Sequence, residues 1–395
     1  MTAKPLPAWR KEFLPLARPT LGEEEIQEVV ETLRSGWLTT GPKVDRFEGR
    51  FREYLGIQEA VAVSSGTAGL HLALLAVGVG AGDEVITTSM SFAATANAIV
   101  LCGARPIFAD CDPDTLNIDL RGVEAGITEK TKAIVPVHFA GQPCAMDELM
   151  EIARRRAVPL IEDAAHALGT EYKGRKIGAL GDMAVFSFHP IKTITTGEGG
   201  MVVTSNKEWA ERIRLLRFHG ISTSAWQRHA GGGSAQYSIQ LPGFKYTMMD
   251  IQAAIGIHQM DKVDRFVERR AELAGLYCRA FKEIEGARPL GLVPYRHRHA
   301  WHIFVVQLEL EKLTIDRDRF LDLLKERNIG SGIHFPALHL QPYYQERWGY
   351  RPDDFPNAKR ASERIVSLPL FPSMSEQDAR DVVWAVGEIL AGHLR

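Results

Sequence analysis

The sequence predicts an α/β protein whose large domain contains a mostly parallel sheet. Short apolar runs alternate with amphipathic helical patterns through the first half of the chain, as in strands joined by helical crossovers. The length of 395 residues suits two domains better than one. We therefore expect a large domain over residues 1–260 and a smaller α+β domain over residues 261–395.

Two amphipathic helices are predicted before the first strand. The first, over residues 21–33, opens with acidic residues, which suit the positive end of a helix dipole. Its apolar residues recur at helical spacing: Ile26, Val29, Val30 and Leu33. A loop punctuated by Gly and Pro, SGWLTTGP, follows, and residues 45–54 are predicted as the second helix.

Seven apolar runs are predicted as strands of the large sheet. The last two are joined by a turn that is too short for a helical crossover, so one of the seven strands is expected to be antiparallel. Helical patterns at residues 70–77, 93–102 and 146–156 separate several of the others. The predicted strands are residues 60–63, 84–88, 106–109, 133–137, 158–161, 183–188 and 201–204.

The remaining chain alternates longer helices with a few strands. Residues 219–245 are polar and rich in Gly, including Gly231, Gly232 and Gly233, and are predicted to form a mobile loop. A long helical pattern over residues 250–279 is expected to link the two domains. The other predicted elements are helices at residues 209–217, 317–327 and 376–390 and a strand at residues 303–308.

Composition excludes several classes of protein. The net charge of −2 gives no electrostatic attraction for nucleic acid or an anionic membrane. No stretch has the roughly 20 apolar residues of a membrane helix, and the basic N-terminus lacks the apolar core of a signal peptide. The four cysteines form no CxxC pair, and their scarcity fits a reducing compartment. We expect a cytoplasmic protein.

A single lysine, Lys192, lies in a polar turn between two predicted strands. The turn belongs to Phe186–Val203, which reads FSFHPIKTITTGEGGMVV. Upstream, the segment LIEDAAHALG ends another apolar run and contains Asp163 and His166. A pyridoxal phosphate (PLP) site needs a lysine to hold the aldehyde of the cofactor and a carboxylate to keep its pyridine nitrogen protonated. These residues therefore predict a PLP site.

These segments resemble the sugar-nucleotide aminotransferases of the DegT/DnrJ/EryC1/StrS family, which have fold type I of PLP-dependent enzymes. The resemblance extends from the SGWLTTGP stretch at Ser35 to the SLPLFP stretch at Ser367. It implies a mostly parallel seven-stranded sheet, PLP as cofactor with pyridoxamine phosphate as intermediate, no metal, and a homodimer with shared active sites.

The resemblance assigns the cofactor phosphate to the loop SSGTAG, through Gly66, Thr67 and Ala68, with Ser187 as a hydroxyl donor. Such a loop between a strand and a helix presents backbone N–H groups to an anion, although the same pattern also occurs in ordinary turns. A nicotinamide site is disfavoured, because GVGAGD at residues 78–83 lacks the third glycine of the dinucleotide fingerprint.

The resemblance also assigns the residues around the cofactor ring. Lys192 binds PLP and then moves the proton between the substrate carbon and the cofactor. The presence of a lysine at this position favours transamination. Asp163 pairs with the pyridine nitrogen, although an isolated aspartate here could instead cap a helix. His166 lies beside the ring, although an unplaced histidine is often structural. Phe92 stacks on the ring, unless it belongs to the core.

The family has an asparagine that reaches the phosphate in the partner subunit. The matching segment here, GFKYTMMD, lacks it, and Lys245 or Thr247 is expected to make the contact. Lys245 is the more natural choice because it is a cation. The histidine-rich segments RHRHAWH and GIHFPALH lack the signature of a metal site. The expected sugar-nucleotide contacts are Trp37, Thr39, Thr40, His334 and His339.

The resemblance implies transfer of the amino group of L-glutamate to the C4 ketone of a nucleotide-linked keto sugar. Within the family it is strongest to the branch that converts UDP-4-keto-pentose to UDP-4-amino-4-deoxy-L-arabinose for lipid A, in lipopolysaccharide biosynthesis. A UDP-, dTDP- or GDP-linked 4-keto-6-deoxyhexose for surface glycans is the first alternative. A PLP-binding regulatory protein without turnover is an alternative of another class.

Overall fold

A computed structural model describes residues 10–222 and 236–395 of the protein. The predicted mobile loop at residues 219–245 is therefore described only in part. Its three consecutive glycines, Gly231, Gly232 and Gly233, lie outside the described residues.

The described helices and strands follow one another much as the periodicity predicts. The helices are α1 Glu23–Ser35, α2 Pro42–Leu55, α3 Gly66–Ala76, α4 Ala93–Leu101, α5 Leu120–Gly126, α6 Met146–Arg156, α7 Lys207–Leu216, α8 Asp250–Gln259, α9 Val263–Ala280, α10 Arg317–Glu326, α11 Pro342–Trp348, α12 Pro356–Arg364 and α13 Glu376–Ala391. The strands are β1 Glu59–Val63, β2 Glu84–Thr88, β3 Arg105–Ala109, β4 Thr131–Val135, β5 Ile161–Asp163, β6 Glu171–Tyr172, β7 Arg175–Lys176, β8 Met183–Ser187, β9 Gly200–Thr204, β10 Ala287–Pro289, β11 His297–Arg298, β12 Phe304–Leu308 and β13 Ile365–Leu368.

Seven strands form the large sheet in the order β1-β9-β8-β5-β4-β2-β3. Two ladders, β1-β9-β8-β5 and β4-β2-β3, are joined by parallel bridges from Ile134 to Leu160 and from Val137 to Asp163. The strand β9 is antiparallel to both of its neighbours, and the other neighbouring pairs are parallel. The predicted seven-stranded, mostly parallel sheet with one antiparallel strand is confirmed.

Apolar side chains fill both faces of this sheet. One cluster includes Phe47, Phe51 and Phe186, and another on α3 includes Leu72 and Leu74. The C-terminal part has its own antiparallel sheet, β10-β12-β13, with a separate apolar cluster. Helix α9 contributes to both parts. The domain division between residues 260 and 261 stays a prediction.

Helix α1 packs its polar face against the rest of the chain and exposes its apolar face. Glu25, Glu28 and Thr32 are buried, whereas Ile26 and Leu33 are 51% and 53% exposed. The acidic side chains turn inward because cations lie beneath them. Lys262 bonds Glu25 at 2.6 Å, and His258 meets Glu28 at 2.7 Å, where Lys43 also pairs with it.

Two predicted elements differ from the structure. The single helix expected over residues 250–279 is divided into α8 and α9 by a 3-10 turn at Met260–Lys262. The strand expected at residues 158–161 instead spans Ile161–Asp163. Asp163 is therefore the last residue of β5, at the carboxyl end of a parallel strand, where open α/β sheets bind ligands.

Candidate active site

One cavity of about 360 Å³ collects most of the predicted cofactor residues. The carboxyl ends of β5 and β8, the N-terminus of α3 and the segment around His334 surround it. Of the sequence-predicted residues, the following line this cavity: Gly66, Thr67, Phe92, Asp163, His166, Ser187, Lys192 and His334.

The loop between β1 and α3 lies against the end of β8. Ser65 caps α3, because its hydroxyl oxygen accepts a hydrogen bond from the backbone N–H of Ala68 at 3.1 Å. A Cβ atom at Gly66 would come within 3.0 Å of the Ser187 Cβ. Gly66 and Thr67 face the cavity, whereas the side chain of Ala68 packs in the apolar core. The helix N-terminus and the Ser187 hydroxyl thus approach the same space.

Asp163 is held by two hydrogen bonds at the base of the cavity. The Thr95 hydroxyl donates to its Oδ2 at 2.7 Å, and the backbone N–H of Ala165 donates to its Oδ1 at 3.2 Å. Burial raises the pKa of Asp163, and these hydrogen bonds oppose the shift. Thr95 also meets the Ser91 hydroxyl at 2.8 Å. Sequence reasoning missed both hydroxyls, although they flank Phe92 in TTSMSFAATANA.

Lys192 follows β8 in the turn that leads to β9. Its backbone N–H donates to the carbonyl oxygen of His189 at 2.9 Å, and its side chain is half-buried in the wall of the cavity. Burial lowers the pKa of Lys192 from its usual 10.5 to about 8, and the charge of Asp163 opposes this shift. An amine with this pKa is present in appreciable amounts as the free base near neutral pH.

Rings form the side of the cavity that faces the C-terminal part of the chain. The His166 ring stacks on Phe335 at 5.7 Å between centroids and lies 4.2 Å from the His302 ring. Burial lowers the pKa of His334 to about 4 and that of His166 well below its usual value. Both imidazoles are therefore neutral at pH 7. His302 and Phe335 were missed, although both lie within the histidine-rich segments RHRHAWH and GIHFPALH.

Phe92 stands at the opening of the cavity. It immediately precedes α4, its side chain is 59% exposed, and its ring centroid lies 5.7 Å from that of Phe335. An exposed aromatic ring at a cavity mouth has a free face for another ring. This placement distinguishes Phe92 from a core residue.

Four predicted residues line a neighbouring cavity of about 540 Å³: Thr39, Thr40, Lys245 and Thr247. The Lys245 ammonium lies 3.1 Å from the Thr247 hydroxyl and 4.5 Å from the Phe218 ring centroid. Burial lowers the pKa of Lys245. The loop that contains Thr39 and Thr40 is held in place by a hydrogen bond, which the Thr40 hydroxyl donates to the carbonyl oxygen of Met248 at 2.7 Å.

Two predicted substrate residues lie outside both cavities. The Trp37 indole donates to the carbonyl oxygen of Thr40 at 3.2 Å. His339 is fully buried, where its ring meets Phe355 edge-on and its Nε2 lies 3.2 Å from the carbonyl oxygen of Pro352. The structure does not bring either side chain to Lys192.

Among the described residues, no group of three or more His, Cys, Asp or Glu side chains is arranged to hold a metal ion. None of the helices in residues 10–222 and 236–395 combines the length and hydropathy needed to cross a membrane.

The residues of the cavity fit PLP. The N-terminus of α3 and the Ser187 hydroxyl provide donors for a phosphate, and Asp163 provides a buried carboxylate for a protonated ring nitrogen. Lys192 provides an amine of lowered pKa, and Nδ1 of His166 has no hydrogen-bond partner within the described part of the chain. A bound aromatic ring would therefore meet complementary groups on several sides.

Comparison with known proteins gives the same assignment. Residues 19–387 match the DegT/DnrJ/EryC1/StrS aminotransferase family. The chain is 49% identical over 387 residues to the spore coat polysaccharide biosynthesis protein SpsC of Bacillus subtilis, covering 97% of this chain and 98% of that protein.

Solved structures are similar over nearly the whole chain. The sugar aminotransferase Spr1654 of Streptococcus pneumoniae, described as putative, has a TM-score of 0.90 and 32% identity in its pyridoxamine phosphate form, covering 96% of this chain and 99% of that one. It has also been solved in a PLP form. DesI, solved with its TDP-sugar product, has a TM-score of 0.84 and 33% identity, covering 97% and 94%. The chain belongs to the DegT/DnrJ/EryC1/StrS family and is a PLP-dependent sugar aminotransferase.

Proposed function

We propose that this enzyme transfers the amino group of L-glutamate to the C4 ketone of a nucleotide-linked keto sugar. The observation that carries the proposal is the convergence of Lys192, Asp163 and the N-terminus of α3 on one cavity. DesI was solved with a TDP-sugar product, which supports a nucleotide sugar as the acceptor.

PLP, when bound, supplies an aldehyde that accepts and returns an amino group and a ring that withdraws electrons. Asp163 holds a proton on the ring nitrogen, and Thr95 fixes the orientation of this carboxylate. Gly66, Thr67 and Ser187 would bind the phosphate. Phe92 and His166 would contact the ring and exclude water from it.

Lys192 anchors the cofactor and serves as the proton carrier at its Nζ atom. A lysine that must both accept and release a proton needs a pKa near the working pH. Its pKa of about 8 meets this requirement, because the amine exchanges its proton at little cost in free energy.

The substitution Lys192→Ala tests these two roles. We expect the variant to bind PLP without a covalent bond and to show no turnover. After borohydride reduction, mass spectrometry should find the cofactor on residue 192 of the wild type and none on the variant. Lys207→Ala, which removes an exposed lysine of α7, should behave as the wild type. Normal turnover by Lys192→Ala would contradict the site assignment.

The proposed assembly is a homodimer in which Lys245 of one protomer reaches the cofactor phosphate of the other. The exposed Lys245 side chain has no carboxylate partner among the described residues, and the nearby Thr247 bridges to the end of β1 at Val63. This places the lysine close to the phosphate loop but outside the cavity of its own protomer.

The acceptor proposed first is UDP-4-keto-pentose, which would give UDP-4-amino-4-deoxy-L-arabinose for lipid A. This proposal rests on the similarity of the two histidine-rich segments to the arabinose branch of the family. His334 supports it, since this side chain lines the cavity. His339 gives no support, because it packs against Phe355. Trp37, Thr39 and Thr40 remain predicted contacts to the sugar nucleotide.

A second candidate acceptor is a nucleotide-linked 4-keto-6-deoxyhexose for a surface glycan. The identity of 49% to SpsC, whose name assigns it to spore coat polysaccharide biosynthesis, favours this candidate. The chemistry at Lys192 and Asp163 is the same for both acceptors, so they differ only in the sugar that the outer part of the site admits.

A visible absorbance titration of the PLP-loaded protein tests the function. L-Glutamate should bleach the visible band with release of 2-oxoglutarate, and the correct keto sugar should restore the band after glutamate is removed. Recovery with UDP-4-keto-pentose alone supports the arabinose product. Recovery only with a 6-deoxyhexose supports the second candidate. Failure to release 2-oxoglutarate would support a PLP-binding protein without turnover.

A further inference from the structure

A smaller cavity of about 180 Å³ adjoins the candidate active site. Ile191 and His334 line both cavities, and Ile191 directly precedes Lys192. Apart from His302 and His334, the residues that line the small cavity have aliphatic side chains: Leu16, Ala17, Ile191, Ile303, Leu368 and Leu370. The chemistry proposed above uses none of this space.

His302 is one of the two histidines that line this cavity. Its side chain is 1% exposed, and neither ring nitrogen has a hydrogen-bond partner within the described part of the chain. Buried polar atoms almost always have such a partner. Burial, together with the neighbouring His166 and Lys192, lowers the pKa of His302 well below its usual value. The ring is therefore neutral and offers one N–H donor.

A buried cation lies directly behind His302. Arg270 is 2% exposed, and its guanidinium donates to the carbonyl oxygens of His302 at 3.0 Å and Leu370 at 2.7 Å. Burial lowers the pKa of Arg270 to about 10, so the group stays charged at neutral pH. As far as the described residues show, no carboxylate pairs with it.

Charge and lining together favour an anion with an aliphatic stem. Within residues 10–222 and 236–395, no Asp or Glu lines the small cavity, and Arg270 gives its wall a positive potential that little solvent screens. The N–H group of His302 can donate to a carboxylate, and the aliphatic walls can contact methylene groups. A free phosphate would use the polar atom but not these walls.

We propose that the small cavity binds the side chain of the amino donor, a five-carbon dicarboxylic amino acid. The inference rests on the proposed function, in which L-glutamate reacts beside Lys192. Its α-carboxylate is attached to the reacting carbon and stays in the main cavity. Two methylene groups carry the distal carboxylate past Ile191 to His302, which donates a hydrogen bond to it. Selection of the donor is thereby separate from selection of the sugar.

The substitution His302→Phe tests the proposal, because it removes both nitrogens and keeps a ring. We expect the kcat/KM of the donor half-reaction with L-glutamate to fall about ten- to a hundred-fold, the usual effect of losing a hydrogen bond to a charged group. The reaction with L-norvaline, which lacks the distal carboxylate, should stay within about twofold. His302→Gln, which keeps an N–H donor, should restore part of the preference for glutamate.

The matched control is His71→Phe, which replaces another buried histidine, on α3, that lines neither cavity. This variant should leave the ratio of kcat/KM for glutamate to kcat/KM for norvaline unchanged. An equal loss for both donors in His302→Phe would overturn the proposal, since it would mean that His302 only supports the stack on His166. No loss with either donor would also overturn it.

Binding of glutarate separates this inference from the proposed function. Glutarate has the same chain and two carboxylates but no amino group to transfer, so calorimetry with the PLP-loaded protein measures binding without turnover. We expect His302→Phe to weaken glutarate binding at least tenfold, whether or not the wild type consumes glutamate. Equal affinities in wild type and variant would reject the subsite, even if the wild type releases 2-oxoglutarate from glutamate.

Discussion

Gly66 shows how closely the loop between β1 and α3 packs against the end of β8. Any side chain at this position would meet the Ser187 Cβ at 3.0 Å, and β8 is paired on both edges and cannot move aside. The start of α3 would have to shift, and the backbone N–H groups proposed to bind the phosphate would shift with it.

We therefore expect Gly66→Ala to weaken PLP affinity at least tenfold, as measured by equilibrium dialysis, with little change in thermal stability. Gly80→Ala provides the control, because a Cβ at Gly80 meets nothing within 4 Å. Unchanged PLP affinity in Gly66→Ala would show that the phosphate does not lie at this helix end.

The lowered pKa of Lys192 predicts how the protein captures its cofactor. Only the free amine attacks an aldehyde, so the capture rate should rise with pH and level off above the lysine pKa. For the apoenzyme we expect this inflection near pH 8, following the pKa of about 8, rather than near the usual 10.5 of an exposed lysine. Stopped-flow absorbance after mixing with PLP measures it, and an inflection above pH 10 would contradict the burial argument.

Helix α1 predicts a stability effect at the scale of an element. Lys262 pairs with the buried Glu25, so Lys262→Met would leave a carboxylate without its cation. Breaking a buried pair in this way costs about 3–5 kcal/mol, and urea unfolding should show a loss of that size. Lys207→Met, which removes an exposed partner of Glu211 at 4.0 Å, should change stability by less than about 0.5 kcal/mol.

The same pairing sets the acid stability of the helix. Burial alone would raise the pKa of Glu25, but hydrogen bonds from Lys262, Gln259 and Gly22 outweigh it and lower the pKa. A carboxylate with a lowered folded-state pKa contributes stability above its unfolded value of 4.5, and this contribution is lost as the pH falls through the folded value. Unfolding at a series of pH values should show wild type and Lys262→Met converging below pH 4.5. A constant difference would contradict the ion pair.

The sequence predicts best those elements that depend on a pattern of neighbouring residues. Strands can be predicted from short apolar runs. Lys192 and Asp163 lie within segments whose sequence can be interpreted without the rest of the chain. Thr95, His302 and Phe335 could not be predicted in this way, because their roles depend on contacts between distant parts of the chain. The exposure of the apolar face of α1 could not be predicted either. Periodicity identifies an apolar face of a helix but does not say whether that face packs against the core or contacts solvent.

The assembly of the whole molecule can be tested by complementation. If Lys245 serves the site of the partner, Lys192→Ala and Lys245→Ala are each inactive alone, yet a mixed dimer contains one site with both lysines intact. Random reassortment makes half of the dimers mixed, so we expect about a quarter of wild-type activity after the two variants are unfolded and refolded together. No recovery would mean that each site uses its own Lys245.

The position of the antiparallel strand β9 between β1 and β8 has a consequence for folding. Strands β8 and β9 are joined by one turn and can pair early, whereas β1 must return from far upstream in the sequence to pair with the outer edge of β9. Contacts of such large sequence separation form slowly. The phosphate loop follows β1, so the cofactor site is completed only when this late pairing is made. During refolding, the visible band of bound PLP should return after the far-ultraviolet circular dichroism, and the cofactor thereby reports the last step of folding.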